Sequence, residues 1–76
     1  MTSFPYEGVT LEITLNGEPQ TIAEDCTVAQ LIETLGLAGQ RLAVEINQDI
    51  VPRSRHAARL LAPGDKVEIV RAIGGG

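Results

Sequence analysis

Hydrophobic and polar positions alternate from Val9 to Leu15: Val9, Leu11, Ile13 and Leu15 share one side, and Thr10, Glu12 and Thr14 share the other. A two-residue period is that of a strand with one face buried. Asn16-Gly17 follows, the pair that best accepts the positive φ angles of a two-residue hairpin turn. A second strand is therefore expected to return through Gln20, Thr21 and Ile22, with Pro19 marking an edge or irregular entry. The period then changes. Thr27 is a good N-cap, Gln30 completes a capping box, and Val28, Leu31, Ile32 and Leu35 fall on one helical face. Gly36 stands where a left-handed C-cap belongs, so the pattern predicts a helix from about Val28 to Leu35.

Alternation resumes from Leu42 to Asn47, with Leu42, Val44 and Ile46 inward. Asp49 to Pro52 reads as a short strand or its remnant. Arg53 to Leu61 is ambiguous, with His56, Ala57, Leu60 and Leu61 placed to line a brief helical turn. Pro63-Gly64-Asp65 is a strong turn signal. Lys66 to Ala72 reads as the last strand, with Val67 and Ile69 inward and Val70 and Ala72 on the opposite face. The order of elements implies an α+β fold, one main helix packed across a mixed sheet of four to five strands. If the first and last strands are neighbours they should be parallel, the helix-bearing segment forming the crossover. Residues 1–8 have no usable period and read as a flexible N-terminal extension, residues 9–73 as the domain, and 74–76 as a flexible glycine tail.

Composition narrows this picture. The 76 residues make one small domain, which buries only about 60% of the surface its unfolded chain exposes. That leaves no room for a deep, self-contained active site. Phe4 and Tyr6 are the only aromatic residues and both precede the first strand, so the core must be aliphatic. A net charge of −4 repels phosphate backbones, and no aromatic platform exists for stacking bases, so nucleic acid is not an expected partner. No apolar run approaches membrane-spanning length and no leader pattern precedes Val9. A single cysteine forms no internal disulfide. The expectation is a soluble cytoplasmic protein that meets no membrane.

Several stretches carry a resemblance: Leu15-Asn16-Gly17-Glu18, Val44-Glu45-Ile46-Asn47, Ile50-Val51-Pro52-Arg53-Ser54, and the run from Pro63-Gly64-Asp65 through Ile73 to Gly74-Gly75-Gly76. From about Leu11 onward the chain resembles the ThiS family of sulfur carriers, within the ubiquitin-like β-grasp superfamily. A terminal Gly-Gly alone is a weak sign. A Gly-Asp turn, an alternating strand and a Gly-Gly terminus in succession is a much stronger one, and Val-Pro-Arg-Ser favours ThiS over the wider carrier group. The residues before Val9 depart from the family pattern.

The resemblance implies a protein co-substrate, not an enzyme, for thiazole formation in thiamine biosynthesis. Gly74, Gly75 and Gly76 present no reactive side chain, only the carboxylate of Gly76. A ThiF-like adenylating enzyme would activate that carboxylate with ATP, no cofactor being bound by the chain itself. A sulfur donor such as a cysteine desulfurase would then supply sulfur in place of AMP, and the thiocarboxylate would serve the thiazole synthase ThiG. Glycine suits a narrow channel because it lacks Cβ, and three extended glycines reach roughly 10 Å past the last strand. The alternatives are a carrier of the molybdopterin-synthase small-subunit type and a ubiquitin-like protein modifier joined through Gly76.

Other residues invite weaker readings. Val70, Ala72 and Ile73 offer an apolar surface beside the tail where a partner would dock. Arg53, Arg55, Arg59 and His56 form a local basic patch, of which Arg53 and Arg55 are candidates for steering a partner. Cys26 lies just before the Thr27 cap, where a helix N-terminus lowers a thiol pKa, but no second cysteine accompanies it. One histidine without neighbours at ligand spacing makes no metal site.

Overall fold

A computed structural model describes residues 8–71, and its elements follow the sequence periods closely. Strand β1 spans Thr10–Leu15, β2 Glu18–Ala23, helix α1 Val28–Thr34, β3 Leu42–Ile46, β4 Asp49–Ile50 and β5 Lys66–Arg71, with a single 3₁₀ turn at Arg53–Arg55. They form one mixed sheet in the order β2-β1-β5-β3-β4. The strand that ends nearest the glycines is thus the central one. It runs parallel to β1 and antiparallel to β3.

The β1–β2 hairpin turns on Asn16 (φ 51°) and Gly17 (φ 89°), with Leu15 facing Glu18. Both turn residues are left-handed, which matches the twist of the flanking strands. β2 begins at Glu18, earlier than its hydrophobic pattern suggests, and includes Pro19. Proline is tolerated there for a geometric reason. Thr14, its partner, turns its own amide toward the carbonyl of Asp65, just ahead of β5, so the ring nitrogen of Pro19 faces away from β1 at the sheet edge, where no ladder donor is needed.

Helix α1 has both halves of its capping box: Gln30 N donates to Thr27 Oγ1 at 3.2 Å, and Thr27 N donates to Gln30 Oε1 at 2.9 Å. The first two helical amides, Val28 and Ala29, donate to the carbonyls of Arg59 and His56, both at 2.9 Å. The Arg53–Leu61 segment, whose pattern was ambiguous, therefore serves as a lid over the helix N-terminus. At the other end Gly36 (φ 76°) closes the helix, with Leu37 N donating to Ile32 O and Gly36 N to Glu33 O, the paired bonds of a Schellman cap.

The core is aliphatic among the described residues: Ile13, Ile22, Val28, Leu31, Ile32, Val44, Ile46, Val51, Leu61, Val67 and Ile69. Two expectations need correction. Val9 is 63% exposed because β1 starts one residue later; only its carbonyl joins the sheet, accepting from Glu24 N. Leu60 and Ala57 do not turn inward: Leu60 bridges to Thr27 through its backbone, which aims its side chain at solvent and leaves Leu61 to enter the core. The last strand is described to Arg71; Ala72, residues 1–7 of the expected 1–8 extension, and the glycine tail lie outside the described residues.

Candidate functional site

The candidate site is the end of β5 together with the groups that hold it in place. β5 alternates as its sequence implies, with Val67 and Ile69 buried and Lys66, Glu68 and Val70 exposed. Its start is fixed by Asp65, the one buried charged residue among those described. Asp65 Oδ2 accepts from Ala62 N at 2.8 Å, closing the Pro63-Gly64 turn, and Oδ1 accepts from Asn47 Nδ2 at 3.0 Å. Asn47, in the β3–β4 hairpin with φ 53°, also accepts Lys66 N on its Oδ1 at 3.0 Å and donates its own amide to Lys66 O.

A second turn asparagine holds the other side of β5. Asn16 N donates to Val67 O at 2.8 Å, continuing the parallel ladder one step beyond β1. Its side chain then takes the next step: Ile69 N donates to Asn16 Oδ1 at 2.9 Å, and Asn16 Nδ2 donates to Ile69 O at 3.2 Å. In the sequence Asn16 reads as a turn former alone, and Asn47 as the end of a strand. Nothing in a single sequence reveals that Asn16 bonds a residue 53 positions away.

Val70 lies where the pattern puts it, 59% exposed on the face away from the core and opposite Ala43 of β3. Ile50, 74% exposed, faces Glu45 farther along the sheet. The basic residues do not join this surface. Arg53 and His56 line an open groove of about 270 Å³ beside α1, together with Ile32 and Leu42. Arg55 and Arg59 line a different cleft, under β4 with Ile50 and Pro52. The sequence-level patch is thus two sites, because the 3₁₀ turn points successive residues in different directions. Ala72, Ile73, Gly74, Gly75 and Gly76, the remaining predicted site residues, lie outside the described residues.

Cys26 does not behave as an activated thiol. Burial, and then the nearby Asp25 carboxylate, push its pKa up, and Sγ donates to Thr27 O at 3.4 Å. The helix N-terminus does not lower it because carbonyls of the lid and the Thr27–Gln30 box already occupy the first-turn donors. His56 Nε2 is engaged with Val51 O at 3.1 Å. Among the described residues no cluster of three His, Cys, Asp or Glu side chains is placed to hold a metal ion, and no helix is long and apolar enough to cross a membrane.

Residues 13–76, the hairpin through the final glycine, match the ThiS family. The chain belongs to the ThiS family. A solved structure of the thiamine biosynthesis protein ThiS from Geobacter metallireducens superposes with a TM-score of 0.75 at 33% identity, covering 87% of this chain and all of that one. The sulfur carrier protein ThiS of Escherichia coli is 33% identical over 66 residues, again 87% of this chain and the whole of its relative. A thiazole synthase of Paramagnetospirillum magneticum is 41% identical over 66 residues, but those cover only 20% of its length. The chain thus spans about a fifth of that relative, and the same holds for a thiazole synthase of Magnetococcus marinus. The fold is the ubiquitin-like β-grasp of the ThiS family, with the family's glycine end following the central strand.

Proposed function

We propose that this chain carries sulfur for thiazole formation in thiamine biosynthesis, as a thiocarboxylate on Gly76. The supporting observation is that the match to the ThiS family runs from the first hairpin through Gly76 itself. The choice of the thiazole branch draws on relatives named thiazole synthase, part of whose length is similar to this chain. In this reading a ThiF-like enzyme adenylates the Gly76 carboxylate with ATP. A sulfur donor such as a cysteine desulfurase then supplies the sulfur that replaces AMP, and the thiazole synthase ThiG receives it. The chain is a co-substrate and binds no cofactor of its own. In this reading the chain works in the cytoplasm, where its adenylating partner draws on ATP.

The physical case is a division of labour. A carboxylate is a poor electrophile, so activation must come from the partner. The carrier contributes a backbone without side chains, able to enter a narrow channel, on a rigid body that docks. Ordering three glycines costs conformational entropy, which contacts made by the body offset. Val70 and Ala43, exposed beside one another near the strand end, are the apolar contact proposed for that purpose. The test is intact mass after incubation with an adenylating enzyme of this class, ATP and a sulfur donor. The expected gain equals one sulfur minus one oxygen, and deleting Gly76 should abolish it. An unchanged mass with a partner that loads another ThiS family member overturns the proposal.

A further inference from the structure

We propose that Asn16 is the positioning residue for the tail: through the backbone of Ile69, it sets the direction in which β5 delivers the glycines. The inference rests on the carrier reading above. β1 cannot itself follow β5 past Val67. Its chain reverses at Asn16 and Gly17, whose φ angles of 51° and 89° turn it into β2. Along the β1 side of β5, Asp65 O accepts from Thr14 N and Val67 O from Asn16 N. The next residue facing that way is Ile69, and there the Asn16 amide supplies both an acceptor and a donor, as a strand residue would. One residue thus covers two successive ladder steps, the first with its backbone and the second with its side chain.

On the other side, β3 pairs with β5 as far as Arg71. Without the Asn16 amide, β5 beyond Val67 would hang from β3 alone, free to twist about that single ladder. Two-sided support at Ile69 fixes the strand axis two residues before its described end and seven before Gly76. With the body docked and the tail held extended in the partner's channel, an angular error at the root of the tail shifts its far end, and catalysis is sensitive to misplacement of about 1 Å at the reacting atom. Asparagine meets both demands of the position. It tolerates the left-handed backbone, and its amide pairs with both the N–H and the C=O of Ile69.

Asn16→Gly removes the amide while keeping a residue suited to φ 51°. In that variant the Ile69 amide should exchange with solvent on the order of tenfold faster, about the worth of one to two ordinary hydrogen bonds. Exchange at Leu31 and Val44 should follow only the change in global stability. NMR order parameters of Val70 and Arg71 should fall. With the adenylating enzyme, kcat for loading should drop on the order of tenfold while KM stays within about twofold, the pattern of an interaction felt at the reacting geometry and not in docking. Asn16→Asp is the second variant. Its carboxylate still accepts from Ile69 N but has no hydrogen for Ile69 O. Protection at Ile69, corrected for intrinsic exchange, should return as acidification protonates it.

Unchanged Ile69 exchange in Asn16→Gly, or faster exchange with unchanged order at Val70 and Arg71, overturns the proposal. So does a raised KM with unaltered kcat. Failure of the carrier reading is separable, since it shows as an unloaded wild-type chain. In that event a loss of order at Val70 and Arg71 still supports the clamp, and its absence still refutes it.

Discussion

Replacing Asp65 by alanine should be among the most damaging single changes in this domain. The carboxylate is 6% exposed and accepts two hydrogen bonds, from Ala62 N and Asn47 Nδ2. Hydrogen bonds to a charged group contribute about 1.5–3 kcal/mol each, and removing the acceptor leaves two donors to find water or go without. The expected loss is therefore about 3–6 kcal/mol. A chain of 76 residues has roughly 4–11 kcal/mol of total stability at ordinary values per residue. At a urea dependence of about 1 kcal/mol per molar, typical of the smallest domains, the unfolding midpoint by circular dichroism should fall by about 3 M or more, or the chain should unfold outright. Asp65→Asn separates geometry from simple deletion. Its amide oxygen can still accept from Ala62 N, but its NH2 then meets the NH2 of Asn47. Flipping Asn47 only moves the clash of donors to Lys66 N, which now donates to Asn47 Oδ1 at 3.0 Å. One misplaced donor costs about 1–3 kcal/mol, so the asparagine variant should be intermediate. Asn47→Gly, acceptable at φ 53°, allows a double-mutant cycle with Asp65→Ala, and the coupling should be about 1–2 kcal/mol. An Asp65→Ala protein within about 0.5 kcal/mol of wild type, or an asparagine variant no better than alanine, would refute the reasoning.

Three further outcomes are expected. Thr27→Ala removes the acceptor for Gln30 N and should lower stability by about 1 kcal/mol, a fall of about 4–8 °C in Tm by calorimetry; no change would mean the lid carbonyls alone suffice. Val70→Thr keeps strand shape but wets the exposed face, so the KM of the adenylating enzyme for the carrier should rise about fivefold, near 1 kcal/mol of lost apolar contact, with kcat and Tm unmoved. For Cys26, the fold favours the neutral thiol. The stability this contributes is full below the unfolded thiol's pKa and lost as pH rises through the folded one. Alkylation by iodoacetamide should accordingly titrate at a higher pH in the native chain than in urea, and a coincident titration would contradict the burial.

Much of this protein could be read from its sequence, because periodicity and turn chemistry are local. The two-residue alternation of β1, β3 and β5, the Thr27–Gln30 box and the Gly36 cap each depend on residues within a turn or two of one another, and each is present. The absence of aromatic residues after Tyr6 required an aliphatic core, and the core is aliphatic. The glycine end and its preceding strand pointed to the ThiS family, and residues 13–76 match it. Pattern reading faltered where neighbours in space are remote in sequence. Arg53, Arg55, Arg59 and His56 are close along the chain, yet packing against α1 and β4 divides them between two clefts. Leu60 looks like a core residue until its backbone pairs with Thr27 and turns it outward. Most tellingly, Asn16 and Asp65 read as ordinary turn formers and Asn47 as a strand end. Only tertiary structure makes them the supports of β5, since a side-chain amide has no partner until the central strand arrives from the far end of the chain. The sequence by itself determined which elements form and which strand precedes the glycines; the tertiary structure decided what braces that strand on both sides.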